Sequence, residues 1–192
     1  MCSLEFLLLA ISVVKAFINP VGNELISRSL EEPNCTCPLQ AQQACPGHCE
    51  SGWTYFRKTD ACFKVFYWED FDVAESICDM KGGHLASIHS FEENEFVIEL
   101  AKTGVKGDNY LKGTWIGLKQ ANYPLSMEWS WTDGTKVDYT PWSPGQPNDN
   151  KGVCAQVFCD YMVDESLVYR KWNDTKCSDK MRTFLCKKAA LH

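Results

Sequence analysis

The chain lacks several things, and each absence narrows what it can be. It has no excess of positive charge: 19 lysines and arginines stand against 25 aspartates and glutamates, a formal charge of -6. A nucleic-acid binder would need a basic face, so that class is disfavoured. No stretch after residue 16 is apolar enough to cross a bilayer, which takes roughly 20 apolar residues. There is no nucleophile elbow, phosphate-binding glycine loop or paired acid and base, so no enzyme is expected. No internal repeat is visible, and 192 residues suffice for one domain with an extension.

Cysteine, by contrast, is plentiful, with eleven residues. Residues 6–14 form a short apolar core, and Val14-Lys15-Ala16 follows with residues tolerated at a cleavage site. This predicts a secretory signal peptide over residues 1–16 and a secreted, extracellular protein. The lead-in is atypical, with Glu5 and no Lys or Arg, and a buried N-terminal segment is the alternative. Cys2 falls inside the signal. The ten others (Cys35, Cys37, Cys45, Cys49, Cys62, Cys78, Cys154, Cys159, Cys177 and Cys186) are an even number, as in a disulfide framework. The cluster Cys35 to Cys49 lacks the paired short spacings of zinc ribbons, so disulfides are favoured over zinc.

Residues 17–48 are poor in periodic apolar positions and read as a cysteine-containing N-terminal extension. Within it Asn34-Cys35-Thr36 is a glycosylation sequon at Asn34. Trp53 to Trp68 is dense in aromatic and β-branched residues and predicts strands. Asp70 caps a predicted helix from Phe71 to Met80, with Val73, Ala74, Ile77 and Cys78 on its inner face and Gly82-Gly83 ending it. Ser90-Phe91-Glu92-Glu93 is a capping box that opens a second helix, with Phe96, Val97, Leu100 and Ala101 on its buried face.

Beyond it the pattern turns β, at Trp115 to Leu118 and Glu128 to Trp131. Residues 132–151, rich in Gly, Pro, Asp and Asn, form a long loop region of the kind that carries function on a rigid scaffold. Further strands are expected at Val153 to Phe158, Leu167 to Trp172 and Thr183 to Lys187.

Along this order runs a series of motifs that begins with Cys49-x-x-Gly52-Trp53, Cys62-Phe63 and Ala74-x-x-x-Cys78. It continues through Gly83-His84-Leu85-Ala86-x-Ile88-x-Ser90-x-x-Glu93-Asn94, Trp115-Ile116-Gly117-Leu118 and Trp131-x-Asp133-Gly134. It closes with Trp142, Gln146-Pro147-Asn148, Cys154, Trp172-Asn173-Asp174, Cys177 and Cys186. In these motifs and their order the chain resembles the C-type lectin-like domain family. The resemblance implies an α+β fold over residues 49–187, with two helices, antiparallel sheets, a long loop region and disulfide bonds, followed by a tail at 188–192.

It also implies the bridges Cys49–Cys62, Cys78–Cys186 and Cys154–Cys177. The second closes a long loop, worth on the order of 4–5 kcal/mol in the chain-entropy model. Cys35, Cys37, Cys45 and Cys159 are left over, and three pairings are open to them. Cys159 lies in an insertion between Cys154 and Trp172, and one bridge from the extension to it would pin the two together.

In the family, calcium is ligated by the residues flanking a usually cis proline, by a glutamate before the next cysteine and by an Asn-Asp pair. Sugar hydroxyls complete the shell. Carried onto this chain, the calcium and ligand-binding residues are Gln146, Asn148, Asn173 and Asp174. The glutamate position holds Gly152, in a short loop that also carries Lys151.

Calcium takes six to eight oxygens and needs carboxylates to offset its charge. Three of the four side chains are neutral amides, leaving Asp174 with help from Asp149 or water. That predicts a weak site, at or beyond the weak extracellular end of about 10⁻⁴–10⁻³ M. At the accessory site only Asp149 matches, with Gln120 and Val153 where acids are expected.

Gln-Pro-Asn is neither the mannose-type Glu-Pro-Asn nor the galactose-type Gln-Pro-Asp, so sugar preference stays open. The expected function is calcium-assisted binding of glycans on cell or microbial surfaces. The alternative is a calcium-independent domain that binds a protein or other non-sugar ligand. Trp53, Trp115, Trp129, Trp131 and Trp142 are expected as core and loop anchors. His84 and His89 are expected to be structural, and the sequon Asn173-Asp174-Thr175 to be unused.

Overall fold

The computed structural model describes residues 46–148, 153–164 and 167–192. The signal peptide, residues 17–45 with Asn34, Cys35, Cys37 and Cys45, and the loop residues Asp149, Lys151 and Gly152 lie outside the described residues. The elements run β1 (Thr54–Phe56), β2 (Ala61–Tyr67), α1 (Phe71–Met80), β3 (His84–Leu85), α2 (Phe91–Ala101), a 3₁₀ turn (Tyr110–Lys112) and β4 (Thr114–Lys119). They continue with β5 (Ser130–Trp131), β6 (Cys154–Val157), β7 (Trp172–Thr175) and β8 (Thr183–Ala189).

One sheet carries the order β1-β2-β8-β4-β6-β7, with β3 added to β8 and β5 to β4. All but one of these pairings are antiparallel, as expected. The exception is β4 on β8, which is parallel (Thr114↔Thr183, Trp115↔Phe184). The seven-residue pairing of β2 with β8 brings the two ends of the domain together. Pairing runs past residue 187: β8 continues to Ala189, His48 pairs with Leu191, and His192 Nε2 lies 2.7 Å from Asp60 Oδ2. Residues 188–192, expected as a tail, are thus paired with the domain's edge.

The helices start where their caps dictate. Asp70 accepts from Val73 N at 3.0 Å, and Ser90 Oγ accepts from Glu93 N at 3.1 Å, each satisfying an orphan helix donor. The box at Ser90 closes differently from its simplest form. Glu93 Oε2 accepts from His89 N at 2.8 Å, while Oε1 takes the Lys187 ammonium at 2.7 Å, so a fully buried carboxylate is neutralised. On α1, Phe71, Ala74 and Cys78 are buried, whereas Val73 faces solvent, a correction to its predicted inward place.

Two apolar clusters fill the core, one around Phe63, Val97, Ile116 and Trp172, the other around Phe71, Trp115 and Phe184. The bridges Cys49–Cys62, Cys78–Cys186 and Cys154–Cys177 are formed. Cys159 is a buried free thiol, and burial pushes its pKa up to about 12; Cys35, Cys37 and Cys45 lie outside the described residues. Among the described residues no helix is long and apolar enough to cross a membrane.

Candidate functional site

The site is built outward from β7. The expected strand over Leu167 to Trp172 does not form; the strand begins at Trp172 and carries Asn173 and Asp174 itself. Arg170, in the left-handed region at φ 69°, turns the chain just before it. β7 pairs with β6 in register Ala155↔Asp174 and Gln156↔Asn173. Trp172 is fully buried, and Trp131, Tyr139 and Trp142 meet its ring edge-on at 5.7–5.8 Å. Its indole N–H donates to Asn94 Oδ1 at 2.9 Å, which ties β7 to α2. Trp115, Trp129, Trp131 and Trp142 pack as anchors, and Trp53 lies beneath the Lys188 ammonium.

Onto this strand the loop segment 141–148 is laid. Trp172 N donates to Pro141 O at 3.1 Å, and Ser143 N donates to Trp172 O at 2.8 Å. Gly145, at φ 78°, then turns the chain so that Gln146 N reaches Ser143 O at 3.0 Å. The Gln146–Pro147 peptide is cis. Asn148 N then donates to Asp174 Oδ1 at 3.1 Å. The backbone of the Gln-Pro-Asn turn is therefore held directly by the carboxylate of the Trp-Asn-Asp strand.

Gln146, Asn148, Asn173 and Asp174 lie along this one seam. Asn173 and Asp174 are buried in β7, and Asn148 is exposed. The side-chain oxygen of Gln146 is buried and finds no hydrogen-bond partner among the described residues. Leaving such a buried acceptor without a partner costs about 1–3 kcal/mol.

For a hard cation this donor set is lean: one carboxylate and three amides. Among the described residues no cluster of three or more His, Cys, Asp or Glu could hold a metal. Water and ligand hydroxyls would have to supply the remaining oxygens of a calcium shell. At the accessory position Gln120 is buried and donates to Met127 O at 2.9 Å, a bond within the scaffold.

The loop is braced from below. Asp133 accepts from Ser87 Oγ at 2.5 Å, from Thr135 N at 2.9 Å and from Thr135 Oγ1 at 2.6 Å. Half-burial alone would raise its pKa, but these donors and Lys187 bring it below the usual carboxylate range. His89 lies 2.9 Å from Asp138, and His84 lies 2.6 Å from Glu75, so both histidines have structural partners. Asn94 and Asp133 sat inside the family pattern, but nothing in the sequence marked them as supports. Pro141 and Ser143 carried no signal at all, since both act through their backbones.

Fold and seam together define a class, a disulfide-bonded α+β scaffold with a loop seated on its terminal strand pair. The chain belongs to the C-type lectin domain family, whose pattern it matches over residues 68–188. It is 36% identical over 147 residues to the type-2 ice-structuring protein of Brachyopsis segaliensis, covering 74% of each chain. To the galactose-specific lectin nattectin of Thalassophryne nattereri it is 34% identical over 141 residues, 73% of this chain and 80% of that one. Among solved structures it resembles a calcium-independent type II antifreeze protein with TM-score 0.61 and 33% identity, over 79% of this chain and all of the other.

Proposed function

We propose that this domain is a secreted lectin that binds glycans on cell or microbial surfaces at the seam of Gln146, Asn148, Asn173 and Asp174, assisted by a weakly held calcium ion. The observation that carries the reading is the Asn148 N to Asp174 Oδ1 bond at 3.1 Å, which seats the turn on β7 beside an unpartnered Gln146 oxygen. Calcium when bound would supply a Lewis-acidic centre for two sugar hydroxyls. Asp174 offers the negative charge, while the amides of Gln146, Asn148 and Asn173 offer neutral oxygens and N–H donors to the same hydroxyls. The buried wall of Trp172 fixes the strand, so little order has to be gained on binding. The three disulfides among the described residues and the expected signal peptide support an oxidising, extracellular setting.

Retention on mannose and galactose resins, in calcium and in chelator, tests this. Calcium-dependent retention on either supports it; passage through both columns in 10 mM calcium counts against it.

A second reading has its own support. Gly152 stands where the glutamate is expected, and one matched solved structure is described as calcium-independent. In that reading the same seam binds a protein or other non-sugar ligand without metal. Chelator-insensitive binding of such a ligand, lost on substitution at Gln146 or Asn148, would favour it.

A further inference from the structure

A second recess lies beyond the far end of β6, away from the seam. Asp174 sits opposite Ala155, whereas the recess is floored by Asp160, five residues further along (160 − 155). It is a cavity of about 510 Å³, lined by Lys102, Gly104, Lys106, Asp160, Tyr161 and Met162. Small-ligand sites typically span about 300–1,000 Å³.

Its floor is rigid. Asp160 is 4% exposed and accepts from Thr103 N, Thr103 Oγ1 and Gly104 N, while Arg182 lies 3.2 Å away. Its charge is thereby spent inside the fold. The insertion after β6 is locked to the loop after α2, because Gly107 N donates to Tyr161 O at 2.8 Å and Val163 N to Gly107 O at 2.7 Å. A side chain at Gly107 would strike the Met162 sulfur, its Cβ lying 2.5 Å away. The opposite lip is open: at Gly104, φ 76°, nothing lies within 4 Å of where a Cβ would stand.

The chemistry of the lining is directional. Lys106 is exposed and makes no ion pair among the described residues. Lys102 shares Glu99 at 3.6 Å, and Glu99 first, then Tyr169, raises its pKa above the usual lysine value. The inner charge of Asp160 is matched by Arg182, so the rim presents cations. Tyr161 is 64% exposed, with one face held against Tyr169 at 4.3 Å between ring centres, so it stands braced beside the cavity. An exposed aromatic ring beside the Lys106 side chain and the Lys102 ammonium, which is shared with Glu99, suits a ligand with an apolar ring face and a negative substituent.

We infer that this cavity binds an anionic saccharide unit, its sulfate or carboxylate on Lys102 and Lys106 and its ring face on Tyr161. The site goes beyond the proposed calcium-assisted seam and does not depend on it.

The test uses the full secreted chain in chelator, so that the seam's calcium is removed. Titration by NMR or calorimetry with a sulfated uronate disaccharide and, separately, with sialyllactose distinguishes a sulfated from a carboxylated source. Saturable binding of either is expected, weakened tenfold or more by Lys106→Glu and by Tyr161→Ala. It should be unchanged by Asp174→Asn and by Lys58→Glu, a like charge reversal near the other end of α2, where Lys58 pairs with Glu92. No saturable binding of either sugar overturns the inference. So does binding that survives both cavity variants, or that disappears with Asp174→Asn. Loss with Lys106→Glu alone, or equal affinity for inorganic sulfate, marks a bare anion site and overturns the saccharide assignment.

Discussion

Trp172 and Asn94 are joined by a buried hydrogen bond of 2.9 Å, the indole N–H donating to the amide oxygen. Asn94 in turn donates through Nδ2 to Arg170 O at 3.3 Å, so one α2 side chain holds both the turn before β7 and its first residue. Asn173 and Asp174 inherit their positions from that anchor. Replacing Asn94 by Leu leaves the indole N–H without an acceptor, a loss of about 1–3 kcal/mol. Urea unfolding should show it as a lower midpoint with an unchanged slope. An unchanged midpoint would mean that Asn94 does not anchor the strand.

Asp174→Asn keeps an oxygen for the Asn148 N–H and removes the charge. The domain should fold with near-native stability, yet lose any calcium-induced rise in melting temperature. In the opposite direction, Gly152→Glu restores a second carboxylate and should tighten calcium binding by on the order of tenfold, since ligand charge tunes such sites. Isothermal titration of both variants measures this. A Gly152→Glu variant with unaltered affinity would mean that the short loop does not bring residue 152 to the ion.

Acid should loosen the loop brace before it unfolds the core. Burial pushes Asp133 up, but Ser87, Thr135 and Lys187 outweigh it and leave its pKa lowered. Asp138 is lowered chiefly by its hydrogen bond to His89. Groups depressed on folding lend stability that is present above the unfolded value, about 3.9, and lost as pH falls through the folded one. Melting temperature should thus hold from about pH 7 to 5 and decline below about 4. Asp133→Asn should start lower and decline less steeply; parallel curves for the two proteins would remove Asp133 from the brace.

The insertion is tied to the core by a charge. Asp160→Ala would leave the Arg182 guanidinium, 11% exposed, without its carboxylate, and breaking such a pair costs about 3–5 kcal/mol. A chemical-denaturation loss of that size is expected, together with a more protease-sensitive segment 159–171. A loss under about 1 kcal/mol would show that the pair is solvated.

Much of the fold was legible because its signals are local. Asp70 and Ser90 announce helix starts through their own capping oxygens, and the inward residues repeat with helical period. The strand forms at Trp172–Thr175 rather than over Leu167 to Trp172, although Leu167, Val168 and Tyr169 are more β-like than Asn173 and Asp174. Pairing with β6 overrides that propensity, and the left-handed Arg170 ends the apolar run. The seam residues were visible through resemblance, whereas their support by Pro141 and Ser143 was not, since backbone contacts leave no residue signature. The Asp160–Arg182 pair joins residues that no periodicity connects, and the cavity it floors was therefore invisible in the sequence.

The most direct test is the melting temperature of the full chain in 10 mM calcium and in chelator. A site near 1 mM stabilises the native state by RT ln(1 + [L]/Kd), about 1.4 kcal/mol, or about 3–5 °C for a domain of this size. A rise of that order, absent in Asp174→Asn, is the expected result. Superimposable melting curves with and without calcium would contradict a calcium-assisted seam of Gln146, Asn148, Asn173 and Asp174.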